Sequence, residues 1–261
     1  TLRAHARKRG WNKLRLLSAA EGSTFKYDVG SEDREGNQDS TVSVFTRDPK
    51  FTEMMLDEAR LAASISHPNV ASVIDVVQED DELFLVLDYI QGDTLARLIR
   101  RAPGIALPAR IVSSVVGGAL HGLYAAHTAR DEFDMPLELV HRDISPQNVM
   151  VGVDGLSRVL DFGIAKALGS SSNTSKGDLK GKLSYMAPEQ ATGGALDGRV
   201  DQYALGVMAY EAATGARPND GAHDGETLAR ILDGDHVPLG RLAPSLPSGL
   251  VDIIERMLAL L

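Results

Sequence analysis

"HRDISPQNVM", residues 141–150, places basic residues, an Asp and an Asn on one short polar loop. "RVLDFG" follows at 158–163 and brings a second Asp, Asp161, close behind. Between and after them, "VMVGV" and "RVLDF" read as two short strands. Asp143, Asn148 and Asp161 are three oxygen-bearing side chains set close together along the chain.

Working outward, the two sides of this loop differ in period. Before it, from residue 92 on, "TLARLIR" and "ARIVSSVVGGALHGLYAAHTA" repeat apolar residues every three to four positions. After it, "VDQYALGVMAYEAAT", "TLARILDG" and "GLVDIIERMLALL" do the same. The first ninety residues instead favour strands: "KLRLL", "TFKYDV", "TVSVF", "VASVIDVV" and "LFLVLDYI" are short apolar or alternating runs. One helix, "KFTEMMLDEARLAASI" at 50–65, interrupts them with an acidic outer face. "SEDREGN" reads as an acidic hairpin insert, and "GSSSNTSKGD" at 169–178 as a flexible segment. The expected organisation is a basic leader (1–13), a small β-rich lobe (14–91) and a larger α-rich lobe (92–261), with a ligand cleft where the lobes meet.

Composition narrows the function classes. With 43% hydrophobic and 24% charged residues in 261, the chain reads as an ordinary globular protein with a sizeable core. It has no cysteine, which excludes disulfides and thiolate metal sites. A net charge of -9 argues against a general nucleic-acid binder. No apolar run reaches membrane-spanning length and no signal-peptide pattern opens the chain, so the cytoplasm is the default location. Arg3, Arg7, Lys8 and Arg9 make the leader basic, and it reads as a solvated segment. The end at "IIERMLALL", inside a helical pattern, is expected to be a truncation.

The three oxygen-bearing side chains suit phosphoryl transfer. One carboxylate must accept or orient the proton of an attacking hydroxyl. The other carboxylate and the amide oxygen suit Mg²⁺, a hard cation that prefers oxygen. With "SYMAPEQ" (184–190) and "VDQYALGVMAYEAATGARP" (200–218), the ordered set resembles the protein-kinase family in its bacterial serine/threonine branch, from about residue 14 to the end. The resemblance implies a two-lobed protein-kinase-like α+β fold, ATP and Mg as cofactors, and a protein substrate or partner. By the same resemblance Asp143 is the catalytic base, and Asn148 and Asp161 are the metal ligands. Arg142 would receive a phosphorylated activation segment, for which Ser170, Ser171, Ser172, Thr174 and Ser175 are candidates. Asp201 would hold the catalytic loop by hydrogen bonds. Adenine would lie against "LVLDYI", with Leu87 as gatekeeper, Asp88 and Ile90 as backbone contacts and Met150 as apolar floor.

Several positions depart from the family pattern. The third strand, read as "VSVF" (42–45), puts Phe45 where the family carries a phosphate-binding lysine paired with a helix Glu, here Glu58. The glycine-rich loop keeps Gly22 but lacks G-x-G-x-x-G. Lys26 stands close to where with-no-lysine kinases place a substitute, though an exposed strand lysine explains it as readily. Ser145 occupies the usual lysine position two residues after the catalytic Asp, while Lys182 occupies a usual threonine. Either the cation and hydroxyl have exchanged loops, keeping a positive charge near the transferred phosphate, or the chain has drifted from catalysis. Two functions follow: an Mg-ATP-dependent serine/threonine kinase with atypical phosphate anchoring, or a pseudokinase acting as a nucleotide-sensing or scaffolding module. A small-molecule phosphotransferase fits less well, because "APE" and the segment before it suit a peptide substrate.

Overall fold

The computed structural model describes residues 29–32, 38–46, 63–79, 82–101, 106–160, 162 and 183–259. They fall into two compact units. The first takes in described residues up to His67 together with Ala71–Gln91; the second takes in Pro68–Val70, Gly92–Phe162 and the described residues from Leu183 on.

The first unit is a four-stranded antiparallel sheet of β1 (Val29–Glu32), β2 (Gln38–Thr46), β3 (Val73–Glu79) and β4 (Glu82–Asp88), in the order β1-β2-β4-β3. β4 is interior to the sheet, which suits its continuous apolar run; Val86 and Leu87 are buried. Phe45 pairs with Leu83 and Ser40 with Asp88, so the register carries the "VSVF" stretch along the strand that ends at Asp88. The two strands expected from "KLRLL" and "TFKYDV" and the helix at 50–65 lie outside the described residues, apart from Val29 and the end of the helical run from Ala63.

The second unit contains a three-stranded antiparallel sheet of β5 (Gly92–Thr94), β6 (Val149–Gly152) and β7 (Ser157–Val159), and seven helices among the described residues. These are α1 (Leu95–Arg101), α2 (Ala109–His127), α3 (Pro188–Thr192), α4 (Arg199–Thr214), α5 (Asp224–Asp233), α6 (Leu239–Leu242) and α7 (Ser248–Leu258). α2 buries Val112, Val115, Val116, Ala119, Leu123 and Ala126, the stripe expected of a helix with one inward face. It packs on β7 and on α4. α4 is buried along most of its length, including Val200, Leu205, Val207, Met208 and Tyr210. Its exposed residues, Arg199 and Gln202, lie at its start, and it forms the centre of this unit, with α7 across it. Gly206 permits that crossing, since a Cβ there would lie 2.8 Å from the Met257 Cβ. Each fully buried Val or Leu contributes roughly 1.5–3 kcal/mol.

Asn69 binds β7 twice. Its amide donates to the Ser157 carbonyl at 2.8 Å, and its own carbonyl accepts from Val159 N–H at 2.9 Å. The expected strand "VASVIDVV" therefore starts late: Val70 makes only an isolated bridge to Val159, and β3 begins at Val73. The short elements β5, α3 and α6 carry too few residues to show a period.

Candidate active site

The loop 141–148 leads into β6, and a buried carboxylate on α4 fixes its start. Asp201 is fully buried in the first turn of α4. Its Oδ2 accepts the His141 N–H at 2.8 Å and its Oδ1 accepts the Arg142 N–H at 2.7 Å. His127 Nε2, from the C-terminus of α2, meets the same Oδ2 at 2.8 Å. Arg142 has φ +63°, a left-handed conformation that costs a non-glycine residue on the order of 1–3 kcal/mol. The two bonds to a buried carboxylate hold it there.

His141 carries the restraint forward. Its Nε2 donates to the Leu160 carbonyl at 2.7 Å, which leaves Nδ1 as the acceptor for the Asp143 N–H at 3.2 Å. Phe162 packs edge-on to the imidazole at 5.0 Å between centroids. The residues flanking Asp161 on the chain are thus both tied to His141. Leu160 N–H also donates to the Asn148 carbonyl at 2.9 Å, so the β6–β7 hairpin brings the chain back to the end of the loop.

Asp143 and Asn148 are directly coupled. Asn148 Nδ2 donates to the Asp143 carbonyl at 2.8 Å and lies 3.4 Å from its carboxylate Oδ2. The Asn148 N–H donates to the Ser145 carbonyl at 2.9 Å, closing the loop as a tight turn. With its NH₂ spent on Asp143, Asn148 has Oδ1 as the atom left to meet a cation. An amide oxygen beside a carboxylate is a donor set that suits a hard divalent ion. Ala96 N–H binds the Pro146 carbonyl at 2.8 Å, anchoring the middle of the loop to the start of α1.

Of the residues expected from the sequence, the structure brings together Asp143, Ser145 and Asn148 on one loop, and Met150 follows on β6. Ser145 is buried. Asp88 and Ile90 lie at and just past the end of β4; the Asp88 N–H donates to the Ser72 carbonyl at 2.9 Å, and Ile90 is buried. Gly22, Lys26, Glu58, Asp161, Lys182 and the serine-rich segment 169–178 lie outside the described residues. Sequence reasoning missed His127 and Gln190. Next to the buried Ala126 in α2, His127 gave a weak signal, as did Gly198, where a Cβ would lie 2.6 Å from His127 Nδ1.

A second polar cluster anchors "LSYMAPEQ". Ser184 Oγ donates to Asp220 at 2.7 Å, and the Tyr185 hydroxyl donates to Glu211 of α4. Arg217 pairs with Asp220 at 2.8 Å and lies over the Tyr185 ring, 5.8 Å from its centroid. Burial, and then the Glu211 carboxylate beside it, hold the Tyr185 hydroxyl protonated well above the usual tyrosine range. Burial also pushes Glu211 up, against the lowering effect of the Tyr185 bond.

Comparison with known proteins bears on this arrangement. Residues 41–260 match the family profile described as Protein kinase domain. The chain is similar to Tyrosine-protein kinase MasK of Myxococcus xanthus (strain DK1622), 40% identical over 216 residues, 82% of this chain and 33% of the relative. It is also similar to Serine/threonine-protein kinase PrkC of Bacillus subtilis (strain 168), 34% identical over 218 residues, 82% of this chain and 32% of the relative. Serine/threonine-protein kinase PknA of Mycobacterium tuberculosis (strain ATCC 25618 / H37Rv) is 34% identical over 220 residues, 82% of this chain and 48% of the relative. The chain spans about a third to a half of the length of these relatives. Among the described residues, no helix is long and apolar enough to cross a membrane.

Proposed function

The chain belongs to the protein kinase domain family, and on that premise we propose that it is an Mg-ATP-dependent protein kinase transferring the γ-phosphate to a serine or threonine hydroxyl. The observation that carries the reading is the Asp143–Asn148 pair, held on a loop whose left-handed turn is fixed by the buried Asp201. A base that must meet a hydroxyl proton needs a fixed direction. Asp143 serves as that base. Asn148 Oδ1 and Asp161 hold Mg²⁺, which when bound neutralises charge on the phosphates. Lys26 takes the role of the absent third-strand lysine, with Glu58 as its partner, and Gly22 allows close backbone approach to phosphate. Ser145 and Lys182 face the transferred group, the lysine supplying the cation that the loop lacks. Asp88, Ile90 and Met150 receive the adenine.

A second reading has tyrosine as the acceptor. Ser145 stands where serine/threonine kinases carry lysine, and a relative 40% identical is named a tyrosine-protein kinase. Phosphoamino-acid analysis of the product separates the two.

Thermal denaturation with ATP, with and without Mg²⁺, tests the nucleotide part. A ligand that binds only folded protein raises apparent stability with its occupancy, by about 2.7 kcal/mol at a hundred times Kd. A Mg-dependent rise is expected. No shift at millimolar Mg-ATP would replace the kinase reading with a scaffolding one.

A further inference from the structure

The peptide group between Arg142 and Asp143 sets the direction in which the Asp143 side chain leaves the backbone, and both of its polar atoms are held. Its N–H, on Asp143, donates to His141 Nδ1 at 3.2 Å. Its carbonyl, on Arg142, accepts from Gln190 Nε2 at 3.0 Å. Gln190 lies on α3, forty-eight positions along the chain from Arg142. Its other amide atom is also engaged: Oε1 accepts the Ala187 N–H at 3.1 Å, capping α3. One side chain therefore joins the end of the "SYMAPE" segment to the peptide that aims Asp143. Asp201 holds Arg142 from the N–H side, and Gln190 holds it from the carbonyl side.

We infer that Gln190 is a positioning residue for Asp143, making the aim of the base conditional on the placement of residues 184–187. The inference rests on the kinase reading for its effect on rate, though its geometric content does not. A displacement of the segment around Tyr185 and Met186 moves Ala187, reorients the Gln190 amide and releases the Arg142 carbonyl. Arg142 then has one restraint fewer in a conformation that is costly for it. Asp143 becomes less well directed, and transfer slows without any loss of nucleotide contacts.

Two variants divide the roles of the amide. Gln190→Glu keeps an oxygen for the Ala187 N–H and removes the donor to the Arg142 carbonyl. Gln190→Leu removes both and introduces no charge. Amide hydrogen exchange in residues 141–143 reads the restraint itself, and steady-state kinetics with ATP and a peptide acceptor read its consequence. Both variants are expected to exchange faster at Arg142 and Asp143 than the wild type. Both should lower kcat about tenfold, with KM for ATP within about twofold. Only Gln190→Leu should loosen the start of α3. Wild-type exchange at Arg142 and Asp143 in both variants would overturn the inference. Faster exchange with unchanged kcat would overturn the positioning role while leaving the hydrogen bond. If the wild type transfers no phosphate, the kinase reading falls and exchange alone decides the positioning claim.

Discussion

Asp201 and Asp131 each accept two backbone N–H groups from a segment that turns through a left-handed residue. Asp201 takes His141 and Arg142, with Arg142 at φ +63°. Asp131 takes Phe133 and Met135 on one oxygen, at 2.9 and 2.8 Å, with Asp134 also at φ +63°. The difference lies in reach and surroundings. Asp131 binds residues two and four positions ahead, in a hairpin whose Phe133 is 77% exposed. Asp201 binds residues 59 and 60 positions away and is 0% exposed. Water can replace the first acceptor and cannot reach the second. The same bond that merely shapes a surface turn fixes, in the interior, the geometry on which chemistry depends.

Breaking both acceptors measures that difference. Asp201→Asn replaces an oxygen that faces two donors with an NH₂ or misdirects the remaining one. It is expected to cost ~3–5 kcal/mol in chemical denaturation and to abolish transfer. Asp131→Ala should cost about 0.5–1 kcal/mol and leave transfer unchanged. Equal costs at the two positions would break the comparison.

Tyr185→Phe sits between these extremes. Removing the hydroxyl leaves the half-buried Glu211 without that donor, at an expected cost of about 1–3 kcal/mol near neutral pH. The pH dependence sharpens the point. A tyrosine whose folded value is raised gives stability that is whole below its ordinary value, about 10, and is lost as pH rises beyond it. The wild type should therefore lose stability above about pH 10, and Tyr185→Phe should lose less. Burial raises Tyr203 and Tyr210 too, so the alkaline loss shrinks and does not vanish. An identical alkaline slope in the variant would contradict the assignment.

The five longer helices of the second unit and the loop 141–148 are legible in the sequence for separate reasons. A buried stripe such as Val112, Val115, Val116 and Ala119 repeats at the helical period and announces itself. Asp143 and Asn148 were found through an ordered set of motifs, which no period could supply. Asp201 was expected to hold the loop, and its carboxylate does bind His141 and Arg142. His127 and Gln190 stayed hidden because their partners are distant backbone or carboxylate atoms, and a lone His or Gln on a helix has many bland explanations. The hairpin around Asp131 stayed hidden because its order comes from side-chain-to-backbone bonds, with no apolar alternation. The apolar run through Val70 continues without a break and so reads as strand, whereas Val70 makes an isolated bridge to Val159.

Phosphate transfer by Asp143→Asn against the wild type tests the central claim most directly, using labelled ATP, Mg²⁺ and a protein acceptor. Asn148 Nδ2 binds mainly the backbone carbonyl of Asp143, so the substitution leaves that bond intact. The expected result is a loss of about 10²–10⁴ in rate, with the Mg-ATP thermal shift retained. Transfer by the variant at the wild-type rate would contradict the account.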